Sequence, residues 1–258
     1  MLVLAVLLAL PAAAAPPLRA LVVTIVAQED FLAWLVADAV AAGTIAPLAI
    51  ATAHVRELAT RLDTAPYDVV IAHAHARPAQ SLAARGVLAP GTPVFANPRA
   101  IIGPADDPAG LRGAPDLADA LARLAAGGAC WIRHEHGGLT DLQPAAGADD
   151  ACVIAPAAPG PGGALDAARN HRAYTLWGYH PFMRRAPQGL AAIVTGDARL
   201  LATLVAWPVA SSPRRAEVDA FIALLAAPAT QTRLTRFRLA DDHANQAWWP
   251  AAAGARPP

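Results

Sequence analysis

At 258 residues the chain is long enough for one large domain or for two of about 100–150 residues, each with its own apolar core. Lys plus Arg and Asp plus Glu number 20 each, so the formal net charge is +0. That balance excludes the basic surface a phosphate-backbone partner requires, and no nucleic-acid partner is expected.

The opening "MLVLAVLLALPAAAAPP" has the form of a secretory signal peptide: an apolar run, then small residues, with cleavage expected after Ala15. The run is shorter than the ~20 residues a bilayer span takes. No cysteine follows it to carry a lipid anchor, so a soluble periplasmic protein is expected.

From residue 18 onward, apolar runs alternate with amphipathic ones. "LRALVVTIVAQ" (18–28) reads as a buried strand and "EDFLAWLVADAVAAG" (29–43) as a helix ending at Gly43. Residues 46–53 give a second strand, 54–62 a short helix, 67–76 a third strand and 79–86 a helix stopped by Gly86. Such alternation predicts a parallel, doubly wound sheet. "TPVFANPRAIIGPADDP" (92–108) reads as two β runs separated by "ANPR". A helix is predicted over 114–128, strand-like pieces at "CWIRH" and "CVIAP", and a helix then a short strand in "ALDAARNHRAYTLW". Two further strands follow, then a helical region interrupted near Pro228 and a tail whose two Trp are expected to pack back onto the body. Cys130 and Cys152, the two cysteines, either form one disulfide in an oxidising compartment or remain small buried thiols.

The order of these segments resembles the periplasmic substrate-binding proteins of tungstate-type ABC importers. "IIGPADDPAGLRGAPDLADALARLAA" (101–126) follows that family's Gly-Pro-Ala-Asp-Asp-Pro segment and the helix after it. "YDVVIAHA" (67–74), "AYTLW" (173–177) and "TGDARLL" (195–201) match further segments in the family's order. The resemblance implies an α/β fold of two Rossmann-like lobes, the type II periplasmic binding protein fold, joined by crossing strands with a ligand cleft between them. Lobe one would comprise 16–97 plus 201–258 and lobe two 98–200. It implies a monomeric carrier, not an enzyme, that captures tungstate or molybdate and delivers it to the permease of an ABC importer.

Several positions depart from the family pattern. Its hydroxyl-rich first loop is reduced here to Thr24, and the Gly-Thr-Gly after the second strand becomes His54 to Arg56. Its Ser-Arg-Gly-Asp loop becomes "IRHEHGGL", which keeps Arg133 and loses the serines. Candidate anion ligands are therefore Thr24, His54, His73, Arg133, His134 and the turn glycines Gly160 and Gly162. A guanidinium binds an oxyanion bidentately, and backbone N–H groups before a helix can cradle one. Each has an ordinary alternative: a salt bridge to Glu135 for Arg133, and routine chain geometry for the glycines.

The alternative ligand is a transition-metal ion, Zn, Cu or Ni, held by His54, His73, His75, His134 and His136. His-x-His on an extended segment places both imidazoles on one face, and imidazole nitrogen suits these metals. A further alternative is a diverged scaffold or sensor without transport. Trp177 and Tyr179 either line the cleft or fill the core. No His-Glu-x-x-His and no Gly-x-Ser-x-Gly occurs, which leaves catalysis without a motif.

Overall fold

The computed structural model describes residues 16–27, 30–133, 152–154, 163–185, 187–240 and 246–251. The first half of the sheet follows from apolar strands flanked by helices: β1 (Leu18–Val23), α1 (Phe31–Ala41), β2 (Leu48–Ala53), α2 (Leu58–Thr64), β3 (Val69–His73) and α3 (Arg77–Ala84). β1 lies between β2 and β3 and runs parallel to both. All its side chains but Arg19 are buried, as expected of a strand covered on both faces. It ends earlier than its apolar run suggests, because the Val26 N–H turns back to the Val23 carbonyl at 2.9 Å. Gly86 stops α3 in the left-handed region, φ 73°, where the glycine has no Cβ to strain.

β4 (Thr92–Pro104) corrects the sequence reading most clearly. The stretch expected to be two runs is one 13-residue strand, and Asn97 and Pro98 stay in the ladder. Up to Pro98 it pairs antiparallel with β9 (Leu201–Pro208). From Arg99 it pairs with β7 (Tyr174–Gly178), and from Ile101 also with β8 (Leu190–Val194). The proline thus sits where the strand changes neighbours, the place where a missing N–H is best tolerated. β3 and β9 are antiparallel as well, so the sheet is mixed rather than wholly parallel. Beyond β7 lie β5 (Trp131–Ile132) and β6 (Val153–Ile154), parallel to it and to each other, giving the order β2-β1-β3-β9-β4-β7-β5-β6.

The apolar residues form one core around the first half of the sheet and two on opposite faces of the second. Alternation along β4 sends Ile101 to one face and Ala100 and Ile102 to the other. The tail packs as expected. Trp248 stacks on Phe31 with ring centroids 4.3 Å apart, and Trp249 pairs with Ala96 as part of β10 (Trp249–Pro250).

"GPADDPAG" is a fastening for Tyr174. A Cβ at Gly103 would lie 2.2 Å from the Tyr174 ring, so only glycine lets the ring cross the strand there. The Tyr174 hydroxyl donates to Asp107 Oδ1 at 2.8 Å and accepts from the Ala109 N–H at 3.0 Å. Burial pushes the phenol well above its ordinary range. Burial also raises the Asp107 carboxyl, but hydrogen bonds from the Arg112 N–H and Tyr174 outweigh it and hold it low. A second fastening is Asp197, which accepts from the Leu117 N–H at 2.7 Å and from the Arg199 guanidinium. Arg199 holds the Asp197 carboxyl well below the usual carboxylate range.

Cys130 and Cys152 are bonded, with Cα atoms 4.4 Å apart, which decides the alternative the sequence left open. The bond ties β6 to β5, and backbone bonds from Trp131 N–H to Cys152 and from Arg133 N–H to Ile154 continue the tie. Closing a 22-residue separation stabilises by about 3 kcal/mol in the chain-entropy account. Replacing both cysteines by serine is expected to lower the urea-unfolding free energy by about that amount.

The Asp197 carboxyl is depressed on folding, so its contribution is complete above the unfolded pKa, about 3.9, and is lost as pH falls towards the folded one. The urea midpoint should therefore drop between pH 5 and pH 3. Asp197→Asn should be less stable than the parent at pH 7 and show a shallower drop.

Candidate functional site

The turn after β1, the carboxyl end of β3 and the carboxyl end of β7 come together beside the middle of β4, the location at which open α/β sheets receive ligands. A cavity of about 180 Å³ lies there. His73, Asn97 and Arg99 supply its polar wall, and Ile25, Trp177, Gly178 and Pro181 the remainder. Pro181 belongs to the short helix Tyr179–Arg185, which the sequence reading did not anticipate.

Asn97 and Arg99 are two apart on an extended strand, so both face the same side. The Arg99 side chain is buried at 3% exposure. Its Nε donates to the Leu200 carbonyl at 3.3 Å and Nη2 to the Arg199 carbonyl at 2.7 Å. These bonds fix the direction of the guanidinium at the start of β9, so its charge is held beside the cavity. His73 ends β3 with Nε2 3.2 Å from Asn97 Oδ1, the geometry of the Nε2–H tautomer donating to the amide oxygen.

Of the residues expected to bind, His73 reaches the cavity. Thr24 is exposed in the turn after β1, one residue before Ile25, and does not line it. His54 is engaged locally, since its Nδ1 accepts from the Arg56 N–H at 3.3 Å and Glu57 accepts from the His54 N–H at 3.2 Å. This reciprocal cap starts the turn that leads into α2. His75 corrects the His-x-His expectation. β3 stops at His73, and the Ala76 N–H bonds the His73 carbonyl, so His75 sits exposed in a turn rather than on a shared strand face.

Arg133 follows β5 directly, with its N–H bonded to the Ile154 carbonyl at 2.9 Å and its side chain exposed. Since Ile132 is in register with Thr175, Arg133 stands at the same end of the sheet as Trp177 but outside the cavity lining. His134, Glu135, His136, Gly160 and Gly162 lie outside the described residues. Among the described residues, no group of three His, Cys, Asp or Glu is placed to hold a metal ion.

Sequence reasoning missed Arg99 and Asn97 as residues of the cavity wall. The signal was present: a cation and an amide in the middle of an otherwise apolar stretch.

No family model matches the chain, and no curated protein matches its sequence. Solved structures do. The tungstate-binding protein TupA from Desulfovibrio alaskensis is 22% identical with a TM-score of 0.68, over 93% of this chain and 100% of that one. A tungstate ABC transporter protein from Geobacter sulfurreducens is 22% identical with a TM-score of 0.63, over 87% and 100%. Iron-bound HitA from Pseudomonas aeruginosa is 15% identical with a TM-score of 0.56, over 94% and 89%. These likenesses show the fold expected from the sequence: two α/β lobes of the type II periplasmic binding protein kind, joined by crossing strands.

Because the His54 ring is a cap, His54→Ala should lower stability by about 0.5–1 kcal/mol in urea unfolding. It should leave unchanged whatever ligand affinity the parent shows by calorimetry.

Proposed function

We propose that this chain is a periplasmic solute-binding protein that captures a small oxyanion, tungstate or molybdate in kind, and delivers it to the permease of an ABC importer. One observation carries the anion reading: a buried guanidinium, Arg99, held by two backbone carbonyls against a cavity at the carboxyl ends of parallel strands. A buried cation is costly unless charge and hydrogen bonds compensate it, and an anion arriving in the cavity adds to both. Asn97 and His73 contribute polar groups on the same side. The fold agrees, since solved proteins that share it include tungstate-binding ones.

In this reading lobe one is 16–97 with 201–258 and lobe two is 98–200, with β4 crossing between them and β9 beginning where the chain returns. Arg133, exposed at the end of β5, is a further candidate ligand in this reading, as are His134, Gly160 and Gly162, which lie outside the described residues. The protein acts by binding and release, as a monomer, and residues 1–15 are the export signal. Among the described residues no group of three His, Cys, Asp or Glu is placed to hold a metal, His54 serves as a cap, and His75 is exposed in a turn after β3.

Titration calorimetry with tungstate, molybdate and zinc tests this. Tungstate or molybdate should bind and raise the melting temperature, as a ligand selective for the folded state must. Arg99→Met should weaken that binding at least ~30-fold, the scale of a lost hydrogen bond to a charged group. Zinc binding without oxyanion binding, or unchanged oxyanion affinity in Arg99→Met, would sink the proposal.

A further inference from the structure

Arg99 and Arg133 belong to one face of the sheet. Ile101 of β4, Leu176 of β7 and Trp131 of β5 pack in a single apolar cluster, which marks that face. Arg99 stands two residues from Ile101 and Arg133 two from Trp131, and a spacing of two along a strand returns a side chain to the same face. In register Arg99 pairs with Gly178, Ile101 with Leu176 and Ile132 with Thr175, so Arg133 stands level with Leu176. Only β7 separates β4 from β5, a distance of two strand spacings, ~10 Å. The β7 position beside Arg99 is Gly178, which puts no side chain between the two cations.

The position of Arg133 depends on a weak element. β7 holds β5 at Trp131 and Ile132, the residues it pairs with. The Arg133 N–H is taken instead by the Ile154 carbonyl of β6, at 2.9 Å. β6 pairs with β5 at two positions, Trp131 with Val153 and Ile132 with Ile154. So short a ladder fixes its own register poorly, and a slip of one residue turns β6 over and takes the Ile154 carbonyl away from Arg133. One position earlier in the same register, Cys130 is bonded to Cys152.

We infer that the Cys130–Cys152 disulfide positions Arg133 as a second anion ligand: by pinning the β5–β6 register it holds this guanidinium on the face that Arg99 occupies. This rests on the anion reading above. A divalent oxyanion between the two guanidiniums takes charge-assisted hydrogen bonds from both. The cysteines touch no ligand and act through Arg133.

The test is a cycle on the full exported chain, with tungstate and molybdate titrated by calorimetry and the melting temperature read beside them. Arg133→Gln should weaken oxyanion binding about tenfold, the scale of one charge-assisted hydrogen bond. Replacing both cysteines by serine should weaken it about fivefold or more in the parent and less than about twofold in Arg133→Gln, the signature of two groups acting as one. The melting temperature should fall equally in both backgrounds, so a merely structural bond would not produce that difference. Should the serine variant not fold, the parent reduced with dithiothreitol takes its place; unfolding of both makes the bond a requirement of folding alone and overturns the inference. Unchanged affinity in Arg133→Gln, or an equal loss in both backgrounds, also overturns it, and the proposed function stands if Arg99→Met still weakens binding. Absence of tungstate and molybdate binding in the parent overturns both.

Discussion

A guanidinium buried to 3% exposure must be hydrogen-bonded where it lies, and Arg99 meets that requirement at the one place where the sheet changes composition. Before it, β4 belongs with β9; after it, with β7 and β8. Among its bonds are those to the carbonyls of Arg199 and Leu200, the residues just before β9. The side chain therefore stitches together the two crossing strands at their seam. It also defines the cavity, since Asn97 shares its face of β4 and His73 reaches Asn97 from β3. Removing the cation would leave two carbonyls short of donors and would strip the cavity of its charge. Fold and site draw on the same few atoms.

The second half of the sheet rests on different contacts. Tyr174 crosses β4 over Gly103 and is held by Asp107 and Ala109; Asp197 anchors the start of the helix at Leu117–Ala126, α4, through the Leu117 N–H. Both are carboxylate-centred, and both place a polar contact at the edge of an apolar cluster. Together with the Cys130–Cys152 bond they give this half three fixed points. That matters for β6, a strand of two residues whose backbone partner is β5 alone among the described residues. So short an edge strand has few hydrogen bonds of its own, and the disulfide supplies what the ladder does not. Arg133 inherits its position from this arrangement, because its N–H bonds to β6.

How much of this was legible in the sequence depends on the range of the interaction. β1 to α3 could be read because each element is written in local period and punctuation, and Gly86 ends a helix by a property of glycine alone. The continuity of β4 could not. Asn97-Pro98 signals a turn by local preference, and what keeps it extended is pairing with Ala202 and Leu201, about a hundred residues away. The site failed in the same way. The spacing of His73 and His75 promised a shared face, but the turn at Ala74–His75 broke the strand that would have made it one. His54 looked like a ligand because a capping histidine and a binding histidine are the same letter. Arg99 was visible as a lone cation in an apolar run, yet its meaning needed the crossing of two strands.

The segments that carry the resemblance to tungstate carriers are the ones that fold the chain. "GPADDPAG" holds Tyr174, "TGDARLL" holds Asp197 against Leu117, and "AYTLW" is the strand that Tyr174 begins. None of these bonds touches the cavity, so the scaffold can be kept while the lining changes. Trp177 joins the two, since the strand that Tyr174 begins ends at the cavity while Trp177 also packs against the Ala100 and Ile102 cluster. The resemblance thus argues strongly for architecture and weakly for ligand. The cavity lining is set by Ile25 in its turn, by Asn97 and by Trp177 and Gly178 at the end of β7, while Arg99 belongs to both, since the carbonyls that hold it lie in "TGDARLL".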